Sequence, residues 1–181
     1  MLKWLMRRQI AAFEKAYGYD TSYARDILEA SPRAALLFGR IPALAGFRRD
    51  VPKDAWFAAK LVAARAEDCG PCTQLVATMA ERAGVAPGIL SAVLTCNEAG
   101  MTPEAALGFR FAEAVLAHDP RADDLREEIL RRWGSRALVS LGFAIAASRV
   151  FPTVKYALGH GKACTRVTIA GVTVPVLRQA A

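Results

Sequence analysis

A pair of closely spaced cysteines is the feature of this sequence best able to do chemistry. Cys69 and Cys72 enclose Gly70-Pro71 and stand just before a stretch with helical periodicity. Two thiols at this spacing meet as a dithiol or close into a small disulfide ring. The Gly-Pro between them sets the ring geometry and the redox poise, which favours dithiol–disulfide exchange. Thiol redox chemistry is therefore the leading hypothesis.

The position of the pair at a predicted helix start favours the thiolate. A free thiol has a pKa of about 8.5 and is ionised only to a few per cent at neutral pH. Unpaired backbone N–H groups and the helix dipole lower this pKa, and Cys72 lies within the first turn if Gly70 caps the helix. The carboxylates of Glu67 and Asp68 either oppose that effect or serve as proton acceptors.

Zinc binding and a thioredoxin fold are two other interpretations of the pair. A zinc site needs two more ligands, but Cys96 and Cys164 are isolated, and His118 and His160 stand alone. A thioredoxin fold would place the pair after a strand within a βαβ pattern, which this sequence lacks. We expect no metal and no cofactor, and we expect Cys96 and Cys164 to be small buried or bystander residues.

The elements that position the pair are predicted to be helices, because alanine is abundant and β-branched residues are sparse before the last segment. Helical periodicity, caps and breakers place helices at 2–17, 21–30, 32–39, 52–67, 71–84, 87–96, 103–118 and 123–134, with a long apolar helix from Ser135 to Gly159. This last helix is expected to bend or break around Pro152.

The end of the chain has a different pattern. Two runs rich in threonine and valine, 165–169 and 172–174, flank Ala170-Gly171 and predict a small β-hairpin. We therefore expect an all-α fold with a short C-terminal β-hairpin. Its parts would be an N-terminal helical extension (1–50), a core (51–160) and a tail (161–181) that packs on the body or on a neighbouring subunit.

Composition and charge narrow the classes of function. Hydrophobic residues make up 54% of the 181 residues, which argues against disorder. The net charge of +7 is concentrated in residues 1–53, which hold 10 basic and 5 acidic side chains. No recognition motif or interleaved aromatic residue accompanies this charge, so we interpret it as a solvated face and expect no nucleic-acid partner.

The sequence also carries an expectation about location. The first residues contain Arg7 and Arg8 and lack both a long apolar region and a small-residue cleavage site, so they do not resemble a signal peptide. The most apolar run, 137–150, is too short to cross a bilayer. We expect a cytoplasmic protein without stable membrane insertion.

Three features together resemble a known family. The apolar helix 55–65 leads into the cysteine pair, a second helix follows over 73–84, and the helix 138–150 approaches Ala157-Leu158-Gly159. With these features, the segment from about Asp54 to Gly159 resembles the carboxymuconolactone decarboxylase/AhpD-like superfamily. The resemblance covers a little over half of the chain, and its specific part is the cysteine pair with its flanking helices.

The resemblance implies an all-α domain that assembles into a homo-oligomer, either a dimer, a trimer or a hexamer. It also implies thiol-dependent reduction of a small peroxide or disulfide. Cys72 would attack the peroxide and Cys69 would resolve the product as a disulfide. A reducing thiol protein or a lipoyl-type partner would then restore the dithiol.

The sequence departs from that family's pattern at two positions of the proton relay. Val76 stands where AhpD-type members carry a histidine, and Phe57 stands where they carry a glutamate. A relay in this chain would have to use other groups. The candidates are Lys60, Glu67, Asp68, Gln74 or a group from another subunit.

Two alternatives to the redox hypothesis follow from the same residues. One is a non-enzymatic helical oligomeric protein whose cysteine pair is inert, as expected of a site that has lost its relay. The other is a cofactor-free decarboxylase of the carboxymuconolactone type. That branch of the superfamily relies on histidine and generally lacks the cysteine pair.

Overall fold

The protein is mostly helical and ends in a short antiparallel hairpin, as predicted. The computed structural model describes residues 2–163 and 165–177. The helices are α1 (Leu2–Tyr17), α2 (Ser22–Ala30), α3 (Pro32–Phe38), α4 (Ile41–Ala45), α5 (Lys53–Ala66), α6 (Gly70–Arg82), α7 (Pro87–Leu94), α8 (Pro103–Ala117) and α9 (Ala122–Ala157). A 3₁₀ turn spans Glu98–Gly100, and the strands are β1 (Arg166–Ile169) and β2 (Val172–Pro175).

Helix α5 lies at the centre of the core. Every residue from Ala55 to Arg65 is buried, because α8, α9, α6 and α7 pack around it. The closest approach is at Gly108 of α8, where a Cβ atom would lie 2.2 Å from the carbonyl oxygen of Ala55. Only glycine lets the two backbones come this close.

Helix α9 is interrupted at Gly134 rather than at Pro152. Gly134 has a φ of 80° and a ψ of 179°, which agrees with the predicted end of a charged helix near this residue. The helix continues through Pro152 to Ala157, so of the bend or break expected there the structure excludes the break. Among the residues that the structure describes, α9 is the one helix that is long and apolar enough to cross a membrane. Core helices also have this property, and α9 packs on α5, α8 and α4.

The first three helices lie against the core through a row of aromatic side chains. Edge-to-face contacts run from Phe13 to Tyr19, Tyr23, Phe38 and Phe151, with ring centroids 5.6 to 6.4 Å apart. This row connects α1, α2 and α3 to α9, and each such contact adds about 1 kcal/mol to the burial of the rings. The N-terminal helices are thereby held over one side of α5 and α6.

The hairpin packs on the body of its own chain. Its strands pair from Arg166 with Pro175 to Ile169 with Val172, around the turn at Ala170-Gly171. Val167, Ile169 and Val174 are buried, β1 lies against α6, and both strands contact α7. After the hairpin, the Leu177 amide donates a hydrogen bond to the carbonyl of Leu94 at 2.9 Å, which holds the tail against the end of α7.

A candidate dithiol site facing an apolar cavity

The cysteine pair lies at the start of α6 and forms a disulfide. The Cα atoms of Cys69 and Cys72 are 5.2 Å apart, and Pro71 occupies the first turn. The N-cap is Cys69, one residue earlier than the expected cap at Gly70, because the Cys69 sulfur accepts the Cys72 amide at 3.3 Å. The Cys69 carbonyl accepts the amide and the hydroxyl of Thr73 at 2.9 and 3.0 Å.

The two sulfurs differ in their access to open space. Cys69 is fully buried, whereas Cys72 lines a cavity of about 460 Å³ between the N-terminal helices and helices α5, α6 and α9. As bounded by the residues that the structure describes, this cavity reaches Cys72 but not Cys69. A molecule in the cavity would therefore meet Cys72 first.

Tyr19 is the polar side chain that reaches the Cys72 sulfur. Its hydroxyl oxygen lies 3.7 Å from that sulfur, within hydrogen-bonding distance for sulfur. The Lys155 ammonium donates to the same hydroxyl at 3.3 Å and lies over the rings of Tyr19 and Tyr23, at 4.5 and 5.2 Å from their centroids. Cys72, Tyr19 and Lys155 therefore form a hydrogen-bonded row that leads away from the cavity.

Burial shifts the pKa values of two side chains in this row. Burial is the main cause that raises the pKa of the Tyr19 phenol above its ordinary value, so Tyr19 stays a proton donor at neutral pH. Burial also lowers the pKa of the Lys155 ammonium, while the nearby Asp20 carboxylate raises it. The row joins a neutral hydroxyl beside the sulfur to a buried amine behind that hydroxyl.

Tyr19 and Lys155 were not among the site residues predicted from the sequence. Tyr19 is 53 residues from Cys72 and reaches it only because the turn between α1 and α2 folds over α6. One feature of the sequence could have pointed to Lys155: it is the single lysine in the long apolar helix predicted from Ser135 to Gly159. Neither residue is part of a local motif with the cysteines.

Lys60 is the predicted relay candidate that lines the same cavity as Cys72. Its ammonium donates to the carbonyl of Ala45 at 3.1 Å and lies 4.2 Å from the ring centroid of Trp56. Burial lowers the pKa of Lys60 to about 8. Phe57 and Val76, the positions of the family's glutamate and histidine, also line the cavity, so its wall is apolar there.

The other predicted relay residues are engaged in contacts that stabilise the fold. Glu67 pairs with Arg149 and accepts from the Thr153 hydroxyl at 3.3 Å. The Gln74 amide forms two hydrogen bonds with the backbone of Thr168, at 2.8 and 2.7 Å, and so ties α6 to β1.

Asp68, the remaining candidate, lies directly before the disulfide. Its backbone has a positive φ of 53°, and its carbonyl accepts from the Tyr156 hydroxyl at 2.8 Å. This contact fixes the turn between α5 and α6 against the end of α9. The backbone of Asp68 therefore helps to position the start of α6 and the cysteine pair.

The remaining cysteines and histidines lie apart from the pair. No cluster of three metal-ligating side chains occurs within residues 2–163 and 165–177. Cys96 is a free thiol that accepts from the Arg65 guanidinium at 3.0 Å, and Cys164 lies outside the described residues. His118 caps the end of α8, and the His160 ring contacts the Asp26 carboxylate at 2.7 Å.

The arrangement is suited to dithiol–disulfide chemistry with a small reactant. One sulfur is reachable from an apolar cavity, the second is bonded to it from the buried side, and a hydroxyl lies next to the reachable sulfur. Comparison with protein-family models, with curated proteins and with solved structures finds no match to this chain.

Proposed function

We propose that this protein is a dithiol oxidoreductase that reduces peroxides, or disulfides, through Cys69 and Cys72. The observation that carries the proposal is the position of the Cys72 sulfur, at the wall of the cavity and beside the Tyr19 hydroxyl. An inert structural disulfide needs neither a cavity nor a proton donor at one of its sulfurs.

The chemical steps follow from which sulfur is reachable. In the reduced protein, the Cys72 thiolate attacks the distal oxygen of a hydroperoxide, the O–O bond breaks, and Cys72 becomes a sulfenic acid while an alcohol leaves. The Cys69 thiol then attacks the Cys72 sulfur, which releases water and forms the disulfide. A lipoyl-type dithiol returns two electrons and two protons, and it becomes a disulfide itself.

Tyr19 has two tasks in this scheme. Its hydroxyl donates a hydrogen bond to the Cys72 thiolate before the reaction, which favours the charged form of the sulfur. When the O–O bond breaks, the same hydroxyl lies close enough to protonate the leaving alkoxide. The Lys155 ammonium orients this hydroxyl from behind and is placed to return the proton.

The resemblance to the AhpD-like superfamily supports this assignment of roles. Cys72 is the attacking residue and Cys69 the resolving residue by position in that family, and the burial of the two sulfurs favours the same order. We propose that Tyr19 and Lys155 serve in place of the histidine and glutamate that Val76 and Phe57 replace. The resemblance also leads us to propose self-association of the chain.

Oxidation of one tryptic peptide tests the function. Cleavage after Arg65 and Arg82 releases residues 66–82, which contain Cys69 and Cys72 and no other cysteine. The reduced protein is treated with cumene hydroperoxide for increasing times, alkylated and digested, and the mass of this peptide is followed. We expect the disulfide form to appear much faster than Cys96 is oxidised in the same sample, and dihydrolipoamide to reverse it.

Two variants separate the roles of the cysteines. Cys69→Ser should stop at the Cys72 sulfenic acid, which dimedone traps, whereas Cys72→Ser should leave the peptide unreactive. Oxidation of the pair at the rate of Cys96 would contradict the proposal. The disulfide would then be a structural one that stabilises the start of α6.

A further inference from the structure

The cavity beside Cys72 is apolar except for one positive charge among the described residues that line it. Its walls are mostly aliphatic and aromatic side chains, and its size falls within the range of ligand pockets, roughly 300–1,000 Å³. Among the described residues that line it, Lys60 carries the one charge and no side chain is acidic. An apolar space with a single cation in its wall selects for a ligand with an apolar body and an anionic end.

Lys60 is a buried cation without a carboxylate partner among the residues that the structure describes. It is 6% exposed, and its contacts are the Ala45 carbonyl and the faces of Trp56 and Phe57. The ammonium has three N–H donors, and one carbonyl and two ring faces satisfy it poorly. Burying such a charge is costly unless an anion accompanies it.

Two other residues of the cavity wall carry polar atoms that lack partners. The indole nitrogen of Trp56 and the hydroxyl oxygen of Ser148 are buried and have no hydrogen-bond partner in the described structure. Both residues line the cavity, and Trp56 directly contacts Lys60. Neither atom has surface open to the cavity, so the two atoms show only that this wall is short of hydrogen-bond acceptors, and the Lys60 ammonium is the charged group there that an acceptor oxygen would complement.

We infer that the cavity binds a medium-chain monocarboxylate, with its head group at Lys60 and its chain along the apolar wall toward Cys72. A carboxylate has acceptor oxygens only and a negative charge, so it complements the Lys60 ammonium, the one charged group among the described residues of the cavity wall. The site also deepens the proposed function, since it would hold a fatty hydroperoxide with its chain against the reactive sulfur. Binding itself needs no redox step and is measured with the disulfide intact, so the two proposals fail separately.

Calorimetric titration with three ligands of equal chain length tests the inference on the wild-type protein. The ligands are octanoate, 1-octanol and octylamine, which present a negative, a neutral and a positive head group at neutral pH. We expect octanoate to bind at least about tenfold more tightly than 1-octanol, which corresponds to roughly 1.4 kcal/mol, and octylamine to bind most weakly. Equal affinity for the three ligands, or no binding of octanoate, would overturn the inference.

A matched pair of variants locates the head group. Lys60→Met removes the charge inside the cavity and keeps the length of the side chain, whereas Lys53→Met removes an exposed charge from the same helix. We expect Lys60→Met to lose the preference for octanoate over 1-octanol and Lys53→Met to keep it. Retention of the preference in Lys60→Met, with circular dichroism showing a folded protein, would place the head group elsewhere and refute the assignment.

Discussion

At the scale of single residues, the proposed chemistry depends on a tyrosine that the N-terminal third of the chain supplies to a cysteine of the core. The Tyr19 hydroxyl is the polar group next to the Cys72 sulfur, and Lys155 holds it from behind. The cysteines alone would explain a disulfide. The added hydroxyl is what turns the pair into a candidate for proton-coupled chemistry.

Removing the Tyr19 hydroxyl tests this role. We expect Tyr19→Phe to keep the fold, since the ring and its aromatic contacts remain, and to slow the oxidation of Cys72 by cumene hydroperoxide by a factor of about 10 to 100. Stopped-flow measurement on the reduced protein gives the rate. Tyr17→Phe is the matched control, because Tyr17 packs against the Arg82 guanidinium instead. Equal rates for both variants and the wild type would remove Tyr19 from the mechanism.

Which site residues could be predicted from sequence depends on how local their contacts are. The cysteine pair and its helix start are local, and the structure places both as expected apart from the one-residue difference in the cap. Tyr19 and Lys155 depend on distant segments meeting. Glu67 and Gln74 stand beside the pair in sequence, but their side chains bind Arg149 and the backbone of Thr168.

At the scale of elements, the site depends on the close packing of α5 against its neighbours. Helix α5 carries Lys60 and three other residues of the cavity wall, and it is buried along most of its length. Its tightest contact is with Gly108 of α8, at the backbone of Ala55. Any shift of α5 would move the cavity wall relative to Cys72.

Two glycine-to-alanine substitutions test this packing. Gly108→Ala should lower the free energy of unfolding by about 2 kcal/mol or more, because the new methyl group overlaps the Ala55 carbonyl. Gly142→Ala, on the exposed side of α9 with no heavy atom within 4 Å of the new methyl group, should raise it by about 0.5–1 kcal/mol. Urea denaturation measures both. A Gly108→Ala protein as stable as wild type would show that α5 and α8 are not so close.

The positions of the elements follow the sequence well where caps and breakers mark them. Ser31 caps α3, Thr102 caps α8, and Gly134 interrupts α9, at or next to the positions where the sequence predicts that helices begin or end. Pro152 is the exception, because the surrounding packing of α9 keeps the helix continuous where local propensity disfavours it. Local signals mark where helices begin and end, but tertiary contacts determine whether a proline interrupts a helix.

At the scale of the whole molecule, the N-terminal helices complete the site. They supply one wall of the cavity and Tyr19, and the aromatic row from Phe13 to Phe151 holds them to α9. Part of their basic charge is paired internally, as Lys3 and Arg7 both contact Glu29. The sequence predicted these helices, but not that they enclose a cavity over Cys72, because no local pattern reports how two helical segments meet.

The pH dependence of Cys72 alkylation shows whether Cys72 is an activated thiol. In the Cys69→Ser variant, the rate of reaction with iodoacetamide is followed on the peptide 66–82 as the pH is raised, because only the thiolate reacts. The helix dipole at the start of α6 and a hydrogen bond from the Tyr19 hydroxyl favour the Cys72 thiolate, so we predict a midpoint well below the value of about 8.5 for a free thiol. A midpoint at or above that value would contradict the account and leave the pair as a structural disulfide.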